Sequence, residues 1–485
     1  MADGVTDEGL SFFSQRRAFL GAVGASLCSL MAHGVGRDRQ SAERIIIVGG
    51  GLSGLAAALE LGERGYAVTV VEARERIGGR VHTLRQPFTN GLYAEAGGEI
   101  IGDRYRRLLA YARRFGLETE PLGEGATRAR VAYMRGRWYR FGDEPHPYGL
   151  RGKEMRLSPP ELLLDHLRAC IAEVGTDWSQ LARYDGWSLA TLLAKGGASP
   201  SAVRLINIAL NYNDAHTVSA ASALFDLLRR MEGGQRALRL RGGNDLLPQA
   251  MAAAIERRGG RLITGAIAHR VRHMPVGVRL TVEKNGRAQE LEAERVIFSV
   301  PATTLRRVIF DPALPTAKAQ AIAAVPYTRV TKIFFEGERV CWDEGQFGAG
   351  LWTDTPLERI VLVPTLHNTR TLFVAWIDGN GAEMPDQMDE RTRMTWASEL
   401  FSQVLPECGR RSRAVATVSW ASDPWARGAY AHFAPGQWVA IRPLLASSVG
   451  RMHFCGEHTA DHASGMEGAL ESAARVVREI AGADP

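Results

Sequence analysis

Cysteine is scarce and dispersed in this 485-residue chain: Cys28, Cys170, Cys341, Cys408 and Cys455 form no C-x-x-C pair and no Cys/His cluster at zinc spacing. Such scattering excludes a disulfide-rich scaffold and offers no metal site, and most of the five are expected to be small buried hydrophobes. Long apolar runs are missing too. Past residue 40 none approaches the ~18 residues a membrane-spanning helix requires, so no membrane span is expected in the mature protein. Charge of one sign is also lacking: 59 Lys and Arg face 53 Asp and Glu, a net +6. The basic residues fall in RR or RxR pairs within helical-looking stretches, the mark of solvated faces, and nucleic acid is not an expected partner. No internal repeat or low-complexity segment is present. What remains, with 45% hydrophobic residues and 52 glycines, is a globular chain long enough for two or three domains.

At the N-terminus, Ser14-Gln15-Arg16-Arg17-Ala18-Phe19-Leu20 precedes a weakly apolar, Gly/Ala-rich stretch from Gly21 to Ala32, with Arg37 and Arg39 beyond it. This is the form of a twin-arginine leader over residues 1–42, which predicts a periplasmic or secreted protein exported already folded.

The β-branched run Arg44-Ile45-Ile46-Ile47-Val48 has the pattern of a buried parallel strand. It runs directly into Gly49-Gly50-Gly51-Leu52-Ser53-Gly54 and then into the helix former Leu55-Ala56-Ala57-Ala58-Leu59. Gly49, Gly51 and Gly54 fill the G-x-G-x-x-G positions: the first permits a tight turn, the second lets backbone amides approach a pyrophosphate, and the third allows close helix–strand packing. A second strand, Ala67-Val68-Thr69-Val70-Val71, ends on Glu72, about 20 residues past the glycines, where an acid can bind ribose hydroxyls. Strand, glycines, helix, strand and acid in this order predict a dinucleotide site. From the acid the chain continues through Ala73 into Gly78-Gly79-Arg80, a loop able to bring amides and a guanidinium to the same diphosphate.

At this point the sequence resembles the flavin-containing amine oxidase family, the superfamily of monoamine, polyamine and L-amino-acid oxidases. The likeness continues through Ala94-Glu95-Ala96-Gly97-Gly98-Glu99-Ile100-Ile101, Leu240 to Leu247, Arg295 to Pro301 and Phe310 to Pro315. It is most specific at His453-Phe454-Cys455-Gly456-Glu457-His458-Thr459 followed by Gly465-Met466-Glu467-Gly468-Ala469. The resemblance implies non-covalent FAD held by Gly49, Gly51, Ser53, Gly54, Glu72, Ala73, Gly79, Arg80, Gly97, Gly98, Glu99, Ile100, Ala268, Gly456, Glu457 and Met466. Ala429 stands where covalent relatives carry the flavin-linking cysteine. A helix beginning near Met466 is expected to aim its positive end at the flavin and to stabilise the reduced, anionic ring.

Two residues are expected to act in catalysis. Lys332, alone in the apolar run Val330 to Phe335, would be an exposed strand residue by alternation, but the resemblance implies a lysine that reaches flavin N5 through a water. Tyr430 implies one aromatic wall of the substrate cage. The second wall is replaced by Gly465, so a more open pocket is expected, with Trp420, Trp425 and Trp438 as candidates to compensate. His82, His458 and His462 lie near the cofactor motifs and are expected to be structural.

The implied fold is α/β: a Rossmann-like FAD-binding domain of glutathione-reductase type (43–103, 240–313 and 413–485) interleaved with an α+β substrate domain (104–239 and 314–412). The implied reaction is hydride transfer from a neutral amine to flavin N5. The resulting imine hydrolyses to an aldehyde or ketone plus ammonia or an amine, and O2 is reduced to hydrogen peroxide. The partners are then a small amine and O2, with a homodimer left open. An L-amino-acid oxidase is the alternative, weakened because the arginine that clamps a substrate carboxylate in such enzymes is here Ile100, with Arg104 close by. A carotenoid desaturase-like or non-catalytic flavoprotein is a second alternative.

Overall fold

The run Arg44–Val48 forms the central strand of a five-stranded sheet in which every neighbouring pair is parallel. The order across the sheet is Arg261–Ile263, Ala67–Val71, Arg44–Val48, Arg295–Phe298 and Met452–Phe454. The computed structural model describes residues 42–122, 130–234, 236–363 and 369–482; the leader expected over 1–42 lies outside the described residues except for its last position.

The continuous β-branched run follows from burial on both faces. Ile45 and Ile47 pack with Leu55, Met251 and Leu470 from the helices Leu52–Glu63, Leu246–Arg257 and Gly465–Ala481. Ile46 and Val48 pack on the opposite face with Leu280 and Val282 from a second, four-stranded sheet. The result is a helix–sheet–sheet stack, the α/β fold of Rossmann type that the glycine motif implied. Because the five strands run parallel, their carboxyl ends share one edge, where ligands bind in such sheets.

A seven-stranded sheet stands beside this stack, ordered Ser412–Ser419, Val330–Glu338, Arg370–Asp378, Arg359–Val363, Gly350–Thr353, Val131–Met134 and Arg137–Arg140. Val330–Glu338 is flanked on both edges and covered on both faces, so eight of its nine residues are buried. Ile333 and Phe335 pack against Phe401 of the helix Glu390–Val404. Phe334, on the other face, meets Phe88 and Val374. Lys332 lies on that second face and is 1% exposed, which reverses the exposure its strand alternation suggests. The helices Pro159–Val174, Leu189–Lys195, Pro200–Ala209 and Ala220–Glu232 complete this half. Ser158, Ser188, Ser199 and Ser219 cap their N-termini, Ser158 through a reciprocal box with Glu161.

Two of the five cysteines do pair. Cys341 and Cys408, 67 residues apart in sequence, form a disulfide with Cα atoms 5.0 Å apart. Sequence spacing could not reveal it, because the approach is set by the packing of Glu390–Val404 and its flanks on the seven-stranded sheet.

Candidate active site

The glycine loop is built by contacts that admit no side chain. At Gly54 a Cβ would lie 2.1 Å from the Gly49 carbonyl oxygen, and at Gly49, with φ +112°, it would lie 2.6 Å from Ser299 Oγ. These contacts press the helix Leu52–Glu63 onto the sheet. At Gly51 a Cβ would meet nothing within 4 Å, because this residue faces a cavity of about 400 Å³. Gly51 also caps the helix without any side-chain hydrogen bond, so the first helical amides are left for a ligand.

Glu72 sits 5% exposed at the end of its strand. Its Oε2 accepts from the Gly50 N–H at 2.7 Å and its Oε1 from the Arg74 N–H at 2.9 Å. The second glycine pair docks on the first loop, with the Gly78 N–H donating to the Gly50 carbonyl at 2.8 Å. Arg80 follows; its guanidinium donates to Glu457 Oε1 and to the Ala429 carbonyl, each at 2.8 Å. One ion pair thus joins two motifs that lie 377 residues apart in sequence. Gly97 passes so close beneath Arg80 that a Cβ would stand 1.8 Å from its carbonyl oxygen, and one at Gly98 would meet the Met466 side chain at 3.0 Å.

Of the expected site residues, all but Gly54 line the one cavity: Gly49, Gly51, Ser53, Glu72, Ala73, Gly79, Arg80, Gly97, Gly98, Glu99, Ile100, Ala268, Gly456, Glu457 and Met466, with Lys332 and Tyr430. Gly54 acts behind the wall, as the packing glycine. The helix Gly465–Ala481 opens onto the cavity through Gly465 and Met466, and its Ser464 cap makes no capping hydrogen bond.

The far end of the cavity is made by side chains. Lys332 Nζ donates to the Glu95 carbonyl at 2.9 Å, to Glu99 Oε2 at 3.0 Å and to the Gly97 carbonyl at 3.5 Å. Its ammonium also stands 4.0 Å from the centre of the Trp376 ring. These bonds pin the segment 95–99 against the seven-stranded sheet. The Glu95 carboxyl beneath them is pushed up to about 7, chiefly by burial. Trp420 donates its indole N–H to the Ala96 carbonyl at 2.8 Å and, with Trp376 and Tyr430, gives this end its aromatic walls. The Tyr430 hydroxyl is buried without a hydrogen-bond partner among the described residues. Burial pushes its ionisation well above the ordinary phenol range, so it remains a donor.

Of the three tryptophans that were candidates to replace a cage wall, each read first as a packing residue, Trp420 and Trp425 line the cavity. Trp438 packs into the core against Phe225 and Phe433, at ring separations of 4.7 and 5.4 Å. Trp376 was not expected. It sits directly opposite Lys332 in the sheet register, a signal available only once the pairing of Val330–Glu338 with Arg370–Asp378 is known. A Cβ at Gly465 would meet nothing within 4 Å, so the position lacking an aromatic is open space on the cavity wall. No cysteine lines the cavity among the described residues. His458 is buried and held at about 3 by burial and then by Arg80, and His82 at about 4 by burial and then by Arg76. Neither lines this cavity.

The chain matches the family model described as flavin containing amine oxidoreductase over residues 52–481. It is 30% identical over 461 residues to an L-amino acid oxidase of Cerastes cerastes, covering 90% of this chain and 87% of that protein. With an L-amino-acid oxidase of Demansia vestigiata it shares 28% over 465 residues, 92% of this chain and 88% of the other. Its fold superposes on cyclohexylamine oxidase from Brevibacterium oxydans IH-35A with a TM-score of 0.75 at 24% identity, over 91% of this chain and all of that one. Putrescine oxidase bound to putrescine gives 0.74 at 23%, over 91% and 99%. The side-chain-free cradle, the uncapped helix ends and Glu72 fit FAD, the group this family uses. The chain belongs to the flavin-containing amine oxidoreductases, as an FAD-dependent oxidoreductase that acts on amine-type donors with oxygen as acceptor.

Proposed function

We propose that this chain oxidises the carbon–nitrogen bond of a primary amine or amino acid to an imine, which water then converts to a carbonyl compound and ammonia. One observation carries the reading: a single cavity joins a dinucleotide cradle at Gly51 and Glu72 to an aromatic chamber at Lys332, Trp376 and Tyr430. When bound, FAD supplies the two-electron acceptor, and O2 leaves with the electrons as hydrogen peroxide.

Gly49 to Gly54, Glu72, Arg80 and Glu457 are the residues that would hold the cofactor, and Ala429 supports a non-covalent attachment. Trp376, Trp420, Val330 and Tyr430 exclude water from the chamber. Such a wall penalises an ammonium and favours the neutral amine, whose nitrogen lone pair assists loss of hydride from the neighbouring carbon. Lys332 anchors the loop 95–99 that forms the floor of the chamber. In the same reading the five-stranded and seven-stranded sheets are the cores of cofactor and substrate lobes. The Arg16-Arg17 leader and the Cys341–Cys408 disulfide support export to an oxidising compartment.

The test is a panel of amines and L-amino acids with a peroxide readout on the flavin-loaded protein. Peroxide produced in step with ammonia is expected. A protein that holds flavin but turns over no member of the panel contradicts the reading.

A further inference from the structure

An alkylamine, like a lysine side chain, is an ammonium near neutral pH, whereas the chamber calls for the neutral amine. One proton must therefore be taken from the substrate, and the groups lining the cavity narrow where it can go. Three carboxylates line it among the described residues: Glu72, Glu99 and Glu457. Glu72 is held by the Gly50 and Arg74 N–H groups, and Glu457 by Arg80 and the Ala431 N–H, both at the cradle. The lining histidine, His269, pairs with Glu283 on the four-stranded sheet. Tyr430 keeps its proton. The Glu95 carboxyl stands behind the wall, accepting from the Asn244 N–H and the Thr83 hydroxyl, each at 2.9 Å.

Glu99 is placed differently. Its Oε2 accepts from Lys332 Nζ at 3.0 Å, while its Oε1 has no hydrogen-bond partner among the described residues. Of its side-chain surface 27% is open, at the wall of the cavity. The same Lys332 ammonium lies 4.0 Å from the centre of the Trp376 ring, so this carboxylate belongs to the aromatic end. Its backbone is fixed as well, because the Asn244 side-chain amide donates to the Gly98 and Glu99 carbonyls at 2.9 and 2.8 Å. One carboxylate oxygen is thus tethered and the other is free to meet a ligand.

The surroundings favour transfer of a proton to that oxygen. Lys332 repels a second cation, which makes a bound ammonium more acidic. Arg359, the other cation beside Trp376, is matched by Asp378 at 2.6 Å. Between aromatic walls an amine and a carboxylic acid are favoured over an ammonium and a carboxylate, since exclusion of water penalises both charges.

We propose that Glu99 is the base that receives the ammonium proton of the substrate. The N–H bond breaks, its electron pair stays on nitrogen as the lone pair that assists hydride loss, and the proton forms an O–H bond at the open Glu99 oxygen. Glu99 returns it to solvent after the imine has left. The proposal rests on the oxidase reading above and gives a catalytic role to a side chain that the resemblance assigned to the cofactor.

The experiment compares flavin-loaded wild type, Glu99→Gln and Glu99→Asp by anaerobic stopped-flow reduction at about pH 8. Phenethylamine is an ammonium at that pH, and 2,2-difluoro-2-phenylethylamine is mostly neutral. In Glu99→Gln the reduction rate constant over Kd should fall ~10-fold or more with phenethylamine, and the loss should shrink toward pH 10. With the difluoro amine it should change less than ~3-fold, and Glu99→Asp should recover part of the loss. L-phenylalanine and its β,β-difluoro analogue make the same comparison if only amino acids are turned over. Calorimetric binding of cumylamine, which has no α-hydrogen to lose, in buffers of different ionisation enthalpy gives a readout independent of turnover. The wild type should release no proton, and Glu99→Gln one per bound amine. Equal losses for the basic and the weakly basic substrate, or release of a proton by the wild type, overturns the proposal. A wild type that binds cumylamine without proton release, yet is reduced by no amine or amino acid, would instead overturn the oxidase reading, which keeps the two failures apart.

Discussion

Backbone builds one end of the cavity and side chains build the other. At the cradle, Gly49, Gly54, Gly78 and Gly97 admit neighbours at distances no Cβ tolerates, and the ligand-facing groups are amides and one carboxylate. At the chamber, Lys332, Trp376, Trp420 and Tyr430 converge from distant strands and a loop. A cofactor common to many proteins can be met by invariant backbone geometry, whereas a substrate is selected by side chains that can change without disturbing the fold. Substitutions at the two ends should therefore fail differently.

The largest expected effect is at the cradle. Gly54→Val would drive its side chain into the Gly49 carbonyl, with a cost above about 4 kcal/mol; soluble, flavin-containing protein should be lost. Gly465→Ala is the control, since its Cβ meets open space and only the left-handed φ of +55° opposes it, at about 1 kcal/mol. Comparable flavin content in both variants would break the comparison.

A smaller effect is expected at the chamber. Lys332→Met removes a charge-assisted bond to Glu99 and two to backbone carbonyls, costing about 2–3 kcal/mol. The protein should fold and bind flavin, but stopped-flow rates of flavin reduction or reoxidation should fall at least 10-fold. Unchanged rates in both half-reactions would remove Lys332 from the account.

The smallest concerns pH. His458, buried behind Gly456 and Glu457, has a folded pKa of about 3, against ~6.5 in an unfolded chain. Between these values the unfolded chain binds the additional proton, so stability falls with decreasing pH by about 1.4 kcal/mol per unit below ~6.5. His458→Asn should lessen the loss between pH 7 and 5 by about 2 kcal/mol, read by urea unfolding at both values. An identical loss in wild type and variant would contradict the burial of a neutral imidazole.

The same division decided what the sequence could reveal. Gly49 to Glu72, Gly78-Gly79-Arg80 and Gly456-Glu457 are local motifs whose spacing follows from the turn and strand geometry they build, and all reach one cavity. Trp376 depends on the pairing of two strands and so leaves no local signature. Lys332 is instructive in the opposite sense: its alternation suggested solvent, and only cover on both faces of its strand buries it. The pairing of Cys341 with Cys408 was hidden for the same reason, being a product of tertiary approach.

The central claim is that one cavity of this chain holds a releasable FAD. Heat or acid denaturation of the purified, full-length protein followed by quantitation of free flavin tests it directly. The account predicts one FAD per chain, recovered in the supernatant. A colourless protein that does not take up added FAD, or a flavin that stays with the denatured chain, would contradict it.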